Sequence, residues 1–160
     1  MRPTSEEKNR LTKSSATNPE AYQLYLKGRY HANQATAAEL KKAIDYFQQA
    51  IEKDPSFASA YAGMADAYSA LGGGWMYLSP TDSFPKAKGA AAKALELNDT
   101  LAEAHAAVAY AEFFDWDWSS AEREFKRAIE LNPNSALSHA RYAESLKTRL
   151  RNLRGARRQG

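Results

Sequence analysis

Three segments of this chain align without a gap: Ala43-Ile-Asp-Tyr-Phe-Gln-Gln-Ala-Ile-Glu-Lys-Asp-Pro55, Ala87-Lys-Gly-Ala-Ala-Ala-Lys-Ala-Leu-Glu-Leu-Asn-Asp99 and Ala121-Glu-Arg-Glu-Phe-Lys-Arg-Ala-Ile-Glu-Leu-Asn-Pro133. Each carries Ala, then Phe or Ala four residues on, Ala three further, and Pro or Asp five after that. Offsets of four and three put the first three positions on one helical face, and alanine lets a second helix approach closely. Pro55 and Pro133 end their helices, since proline clashes with the preceding turn, and Asp99 is expected to serve as a turn former or cap. Registered self-similarity of this kind restricts the chain to a repeat architecture.

A second set of segments follows these stops. Tyr61, Met64, Ala65 and Tyr68 mark one helical face, and His105, Val108 and Ala109, then His139, Tyr142, Ala143 and Leu146, repeat most of it. The chain therefore reads as a row of helix pairs. The helices are expected over 19–33, 36–53, 57–71, 82–97, 101–115, 119–131 and 135 to about 153.

These alternating segments resemble tetratricopeptide repeats (TPR), whose pattern is an aromatic, Leu, Gly/Ala and Tyr on helix A, then Ala, Phe, Ala and Pro on helix B. The unit from Ala102 to Ser135 has the 34-residue length of that family and keeps Val108, Ala109, Ala121, Phe125, Ala128 and Pro133. Trp118, Leu40 and Phe84 fill the slot before helix B, while Leu24, Gly28, Ala43, Phe47, Ala50 and Pro55 carry the first unit. The interval from Gly28 to Ala43 is 15 residues where the family has 12, and about ten extra residues separate Tyr68 from Ala87. The resemblance implies an all-α solenoid of about three and a half TPR units, about seven helices, wound as a right-handed superhelix. Its units are 19–55, 56–99, 100–133 and a partial 134–154; residues 1–18 are expected to be disordered and 155–160 to form a flexible basic tail.

The composition admits such a fold without a staple. At 160 residues with 44% hydrophobic and 26% charged, and no cysteine, the chain can bury a core without disulfides. Its longest wholly apolar stretch, Ala106 to Ala111, is far shorter than a membrane span, and Met1 to Arg10 has no apolar core of the kind a signal peptide needs. A cytoplasmic location is expected. The net charge of +3 is unevenly spread: residues 141–160 hold seven Lys/Arg against one Glu, +6, which leaves −3 for residues 1–140.

The resemblance implies a concave groove lined by the A helices. Carried over by position, its lining is Ser59, Ala62, Asp66 and Ser69 in the second unit, Glu103, Ala106, Tyr110 and Phe113 in the third, and Leu137, Ala140, Glu144 and Lys147 in the fourth. Tyr110 and Phe113 either meet a bound peptide or helix there or are covered by helix packing. Some relatives clamp the C-terminal carboxylate of chaperones with lysines, an arginine and asparagines. The corresponding positions here hold Ser, Ala, Asp, Glu and Tyr, and Asp66 and Glu103 repel a carboxylate, so a ligand with a positive or mixed face suits the groove better.

The insertion Gly72-Gly-Gly-Trp-Met-Tyr-Leu-Ser-Pro80 reads as a glycine hinge delivering Trp75, Met76, Tyr77 and Leu78. This apolar block is either a partner-binding or self-association element, or it tucks against helices three and four over the seam of Ala87, Ala91 and Ala94. In Asp115-Trp-Asp-Trp118, Asp117 is expected to cap the following helix, Trp118 to fill its slot and Trp116 to pack between units.

Catalysis finds no constellation here. His31, His105 and His139 are scattered over helices, and His105 and His139, one repeat apart, lie about 10 Å from each other, too far to share a metal. No cofactor or metal is implied. The last helix places Tyr142, Leu146, Leu150 and Leu153 in a stripe among Lys147, Arg149, Arg151, Arg154, Arg157 and Arg158. That pattern is either a solvating end of the array or a surface for nucleic acid, an anionic membrane or an acidic partner, and the stripe can also pair with a second copy. The sequence thus points to a non-catalytic protein-interaction module using the groove, the insertion over residues 72–80, or both. A nucleic-acid or anionic-surface binder and a homo-oligomeric scaffold are the alternatives. The Tyr-Leu-Lys-Gly-Arg-Tyr30 and Asp-Trp-Asp-Trp118 stretches are similar to repeat regions of bacterial signalling proteins.

Overall fold

A computed structural model describes residues 4–5, 18–73 and 78–157. Among these residues the chain forms seven helices: α1 Pro19–Ala32, α2 Ala37–Lys53, α3 Ala58–Gly73, α4 Pro80–Leu97, α5 Ala102–Phe114, α6 Trp118–Leu131 and α7 Ala136–Arg157. The all-α solenoid expected from the repeats is the fold observed. None of these helices is long and apolar enough to cross a membrane.

The repeated residues do the same job in each copy. Ala43, Phe47 and Ala50 on α2, Ala87, Ala91 and Ala94 on α4, and Ala121, Phe125 and Ala128 on α6 are all fully buried. Phe47 shows why the A helices need small residues opposite. A Cβ at Gly28 of α1 or at Gly63 of α3 would lie 2.7 Å from its ring, so the ring is wedged between two glycines of successive A helices.

The turns between units are also copies of one another. Asp54, Asn98 and Asn132 close α2, α4 and α6, and their Oδ1 atoms accept the backbone N–H two residues on, of Ser56, Thr100 and Asn134, at 3.1, 3.1 and 3.3 Å. The role assigned to Asp99 therefore belongs to Asn98. A second bond repeats one helix later: the Tyr61 hydroxyl and the Nε2–H of His105 and His139 each donate to the carbonyl six residues upstream, on Pro55, Asp99 and Pro133, at 3.3, 2.8 and 2.8 Å. These two histidines latch turns. At the other helix starts, Asn18, Thr36 and Asp117 accept backbone N–H groups of the first turn.

Helices α1, α3, α5 and α7 pack in sequence against one another, with α2, α4 and α6 on the outside. The direct contacts run α1 to α3, α3 to α5 and α5 to α7. These four helices form the inner layer of the stack.

Three expectations change here. Gly72 and Gly73 do not form a hinge: they are the last turn of α3, where a Cβ at Gly72 would lie 1.9 Å from Ser83 Oγ and one at Gly73 would lie 2.2 Å from the Phe114 ring. Close packing of α3 on α4 and α5 demands glycine at both. Residues 155–157 continue α7 instead of joining a tail, since only Gly155, at a cost of about 1 kcal/mol, opposes helix there. Finally, Trp116 does not pack between units. With φ at 65° it is turned out of the α5–α6 corner, 65% exposed, its ring edge against Trp118.

Candidate functional site

The inner layer carries a polar row through all four units, charged in three of them. Aligning Gly28, Ala65, Ala109 and Ala143 makes the following residues, Arg29, Asp66, Tyr110 and Glu144, equivalent, and places Tyr22 with Ser59, Glu103 and Leu137. All four side chains of the first set bear on one region. Arg29 donates from its Nη1 to the Tyr25 hydroxyl at 3.1 Å, and its charge is favoured first by that hydrogen bond and the Tyr25 oxygen and then by the fields of Glu103 and Asp66. Burial pushes the Tyr110 hydroxyl above its ordinary pKa, opposed by Arg141 and aided by Glu144 and Asp66.

Arg141 ties the centre together. Its guanidinium lies 4.1 Å from the Tyr110 ring centroid and its Nη1 donates to Asp66 Oδ1 at 2.8 Å. The Arg141 side chain is only 14% exposed. A cation has therefore already been laid on an aromatic face with a carboxylate at its end, and Glu103 and Glu144 stand exposed nearby.

The individual groove residues distribute unevenly. Asp66, Glu103, Tyr110, Glu144 and Lys147 reach the surface, as do Leu137 and Ala140. Ser59 is half-buried, whereas Ala62, Ala106 and Ser69 are buried, Ser69 completely. Ser69 is thus out of a ligand's reach, because α3 sinks that position into the stack. Phe113 is half-buried: its ring lies edge-on to Trp118 at 5.5 Å and to Phe114 at 4.9 Å, beside the cluster of Ala109, Ala121 and Phe125. Tyr110 is half-buried as well, stacked on Phe113 at 6.4 Å and edge-on to Phe114 at 4.9 Å. Sequence reasoning missed Tyr22, Arg29 and Arg141. The register of Gly28 with Ala65 and Ala109 identifies the first two, but nothing in the repeat pattern marks Arg141, which reaches past the neighbouring helix.

Trp75, Met76 and Tyr77 lie outside the described residues. Leu78, beyond them, packs with Leu40, Ala67 and Leu71 and not on the α4 alanine seam, and its N–H bonds the Leu71 carbonyl at 3.1 Å. Nearby, an open cavity of about 600 Å³ is lined by Phe84, Pro85, Phe114 and Trp116, with Lys88 paired to Asp115 at its edge. Among the described residues no group of three or more His, Asp or Glu side chains could hold a metal ion.

No protein-family model matches the sequence, and no curated protein matches it. Solved structures do. The TPR domain of Sgt2 from Aspergillus fumigatus is 24% identical with a TM-score of 0.67, over 88% of this chain and 86% of that one. The first TPR of Spaghetti (RPAP3), bound to the HSP90 peptide SRMEEVD, is 21% identical with a TM-score of 0.63, over 83% and 95%. The TPR2B domain of yeast Sti1, in a complex with an Hsp70 peptide, is 20% identical with a TM-score of 0.60, over 82% and 99%. Helix pairs in register, Phe47 seated between two glycines and these matches along more than four-fifths of the chain lead to one conclusion: it adopts the tetratricopeptide-repeat fold.

Proposed function

We propose that the chain is a non-catalytic module that binds a peptide segment of another protein along its concave face. The observation that carries this reading is the meeting of Asp66, Tyr110, Arg141 and Glu144 from three successive inner helices, with Arg29 and Glu103 bordering Asp66. Structural neighbours described as complexes with HSP90 and Hsp70 peptides support it. The ligand differs from the acidic HSP90 peptide SRMEEVD. Asp66, Glu103 and Glu144 disfavour a run of carboxylates, and Arg29, Arg141 and Lys147 add balancing charge, so the peptide carries cationic or mixed side chains with an apolar anchor for Tyr110.

Selection from a random-sequence peptide library, with the whole chain as bait, tests this. Enriched peptides contain Arg or Lys beside an apolar residue, and Tyr110→Ala or Glu103→Lys weakens them by about tenfold or more. Selected peptides indifferent to both changes would remove the groove as the binding surface.

A further inference from the structure

The outer face of α7 repeats a face that α5 has already paired. On α5, His105 and Ala109 meet α6: Ala109 is fully buried against Ala121 and Phe125, and His105 Nδ1 lies 2.7 Å from Glu124 Oε2. At the same register α7 carries His139 and Ala143, and His139 holds its turn through Nε2 just as His105 does. Yet Ala143 is exposed, and among the described residues His139 Nδ1 has no partner. The stripe continues through Leu146, Leu150 and Leu153, which are 37, 55 and 55% exposed. Spacings of four, three, four and three from His139 to Leu153 describe a seam for one more helix.

The charges around the seam say what that helix is. Lys147, Arg151 and Arg154 each follow one of the three leucines by one residue, about 100° round the helix, and form a continuous edge. Leu150 sits in a shallow recess walled by these three cations. On the opposite edge Arg149 pairs with Glu122 of α6 at 3.1 Å, a carboxylate that Lys126 shares, and Arg157 continues the stripe one turn beyond Leu153, so unpaired positive charge lines one edge of the seam and its C-terminal end. We propose that the α7 face from His139 to Leu153 docks an acidic amphipathic helix of a partner protein, seated as α6 is seated on α5. That seating specifies its pattern: a small residue, an aromatic four later, a small residue three after that, a carboxylate just before the aromatic for His139, and further carboxylates facing Lys147, Arg151 and Arg154. A second copy of α7 is a poor occupant, because it brings the two basic edges together.

The test uses the whole chain and a labelled peptide of the α6 sequence, residues 118–131, with Arg123, Lys126 and Arg127 each changed to Glu. Fluorescence anisotropy is expected to show saturable binding that weakens as salt is raised. In the protein, Leu150→Asp is expected to weaken it by about tenfold or more and His139→Ala by about fivefold, while Lys41→Ala on α2 leaves it unchanged. All three residues are exposed, and circular dichroism confirms that each variant is folded. A companion peptide with Glu122, Glu124 and Glu130 changed to Lys is expected to bind at least about tenfold more weakly. Absence of binding by the acidic peptide, equal binding by the basic one, or indifference to Leu150→Asp would overturn the proposal. So would a sedimenting dimer that Leu150→Asp dissociates, or displacement of the peptide by phosphatidylserine vesicles or duplex DNA.

Discussion

Arg141 on α7 bonds Asp66 on α3 at 2.8 Å although 75 residues separate them in the chain. The bond passes over Tyr110 of α5, so three successive inner helices are tied at one point. Helix α7 has few other buried anchors, Ser138 and Ser145 among them, and this tie therefore fixes its angle on the stack. Arg141→Ala is expected to cost about 2 kcal/mol, with a coupling to Asp66→Asn of about 1 kcal/mol in a double-mutant cycle. Urea denaturation of the four proteins measures it. Coupling near zero would mean that the pair contributes nothing to holding α7.

Gly28 and Phe47 form a second tight relationship. Phe47 is fully buried, so a methyl group placed 2.7 Å from its ring finds no room. Gly28→Ala is expected to destabilise by about 2 kcal/mol despite alanine's better helix propensity. In a Phe47→Leu background the same change becomes nearly neutral or favourable, which thermal melts of the single and double variants decide.

Deleting the equivalent ring in the third unit, Phe125→Ala, removes a fully buried aromatic and is expected to cost about 3–5 kcal/mol. Amide exchange should show α5, α6 and α7 opening together, since α6 is the outer wall for α5 and the support for α7.

Glu112 supplies the pH dependence. Burial, then the charges of Glu124 and Asp117, push its carboxyl above the ordinary range, and its Oε2 is buried with no hydrogen-bond partner. A carboxyl with a raised folded-state pKa binds its proton more tightly folded than unfolded, so this group's contribution to stability is lost as pH rises through that value. Glu112→Gln is therefore expected to raise the melting temperature at neutral pH, leave it unchanged well below the carboxylate range, and flatten the profile between. An equal shift at both ends would show that the charge is not the cause.

The fold was legible because its signal is periodic. Ala43, Phe47 and Ala50 recur in two further copies, and every copy is buried as its spacing demands. The site was legible only in part. Asp66, Tyr110 and Glu144 follow from register, but Ser69, at an equally valid position of the repeat, is sunk completely into the stack. Arg141 was invisible for the opposite reason. Its long side chain crosses the neighbouring helix, and repeat alignment describes only positions, not reach. Gly72 and Gly73 were misread because glycine serves close packing as well as hinging, and only the positions of Ser83 and Phe114 decide between the two.

The central claim is that the inner layer receives the peptide. Amide chemical-shift mapping of the labelled chain, titrated with a library-selected peptide, tests it most directly. Shifts are expected at Arg29, Asp66, Glu103 and Tyr110, with Lys41, Gln48 and Lys126 on the outer helices unmoved. Shifts confined to α2, α4 and α6 would contradict it.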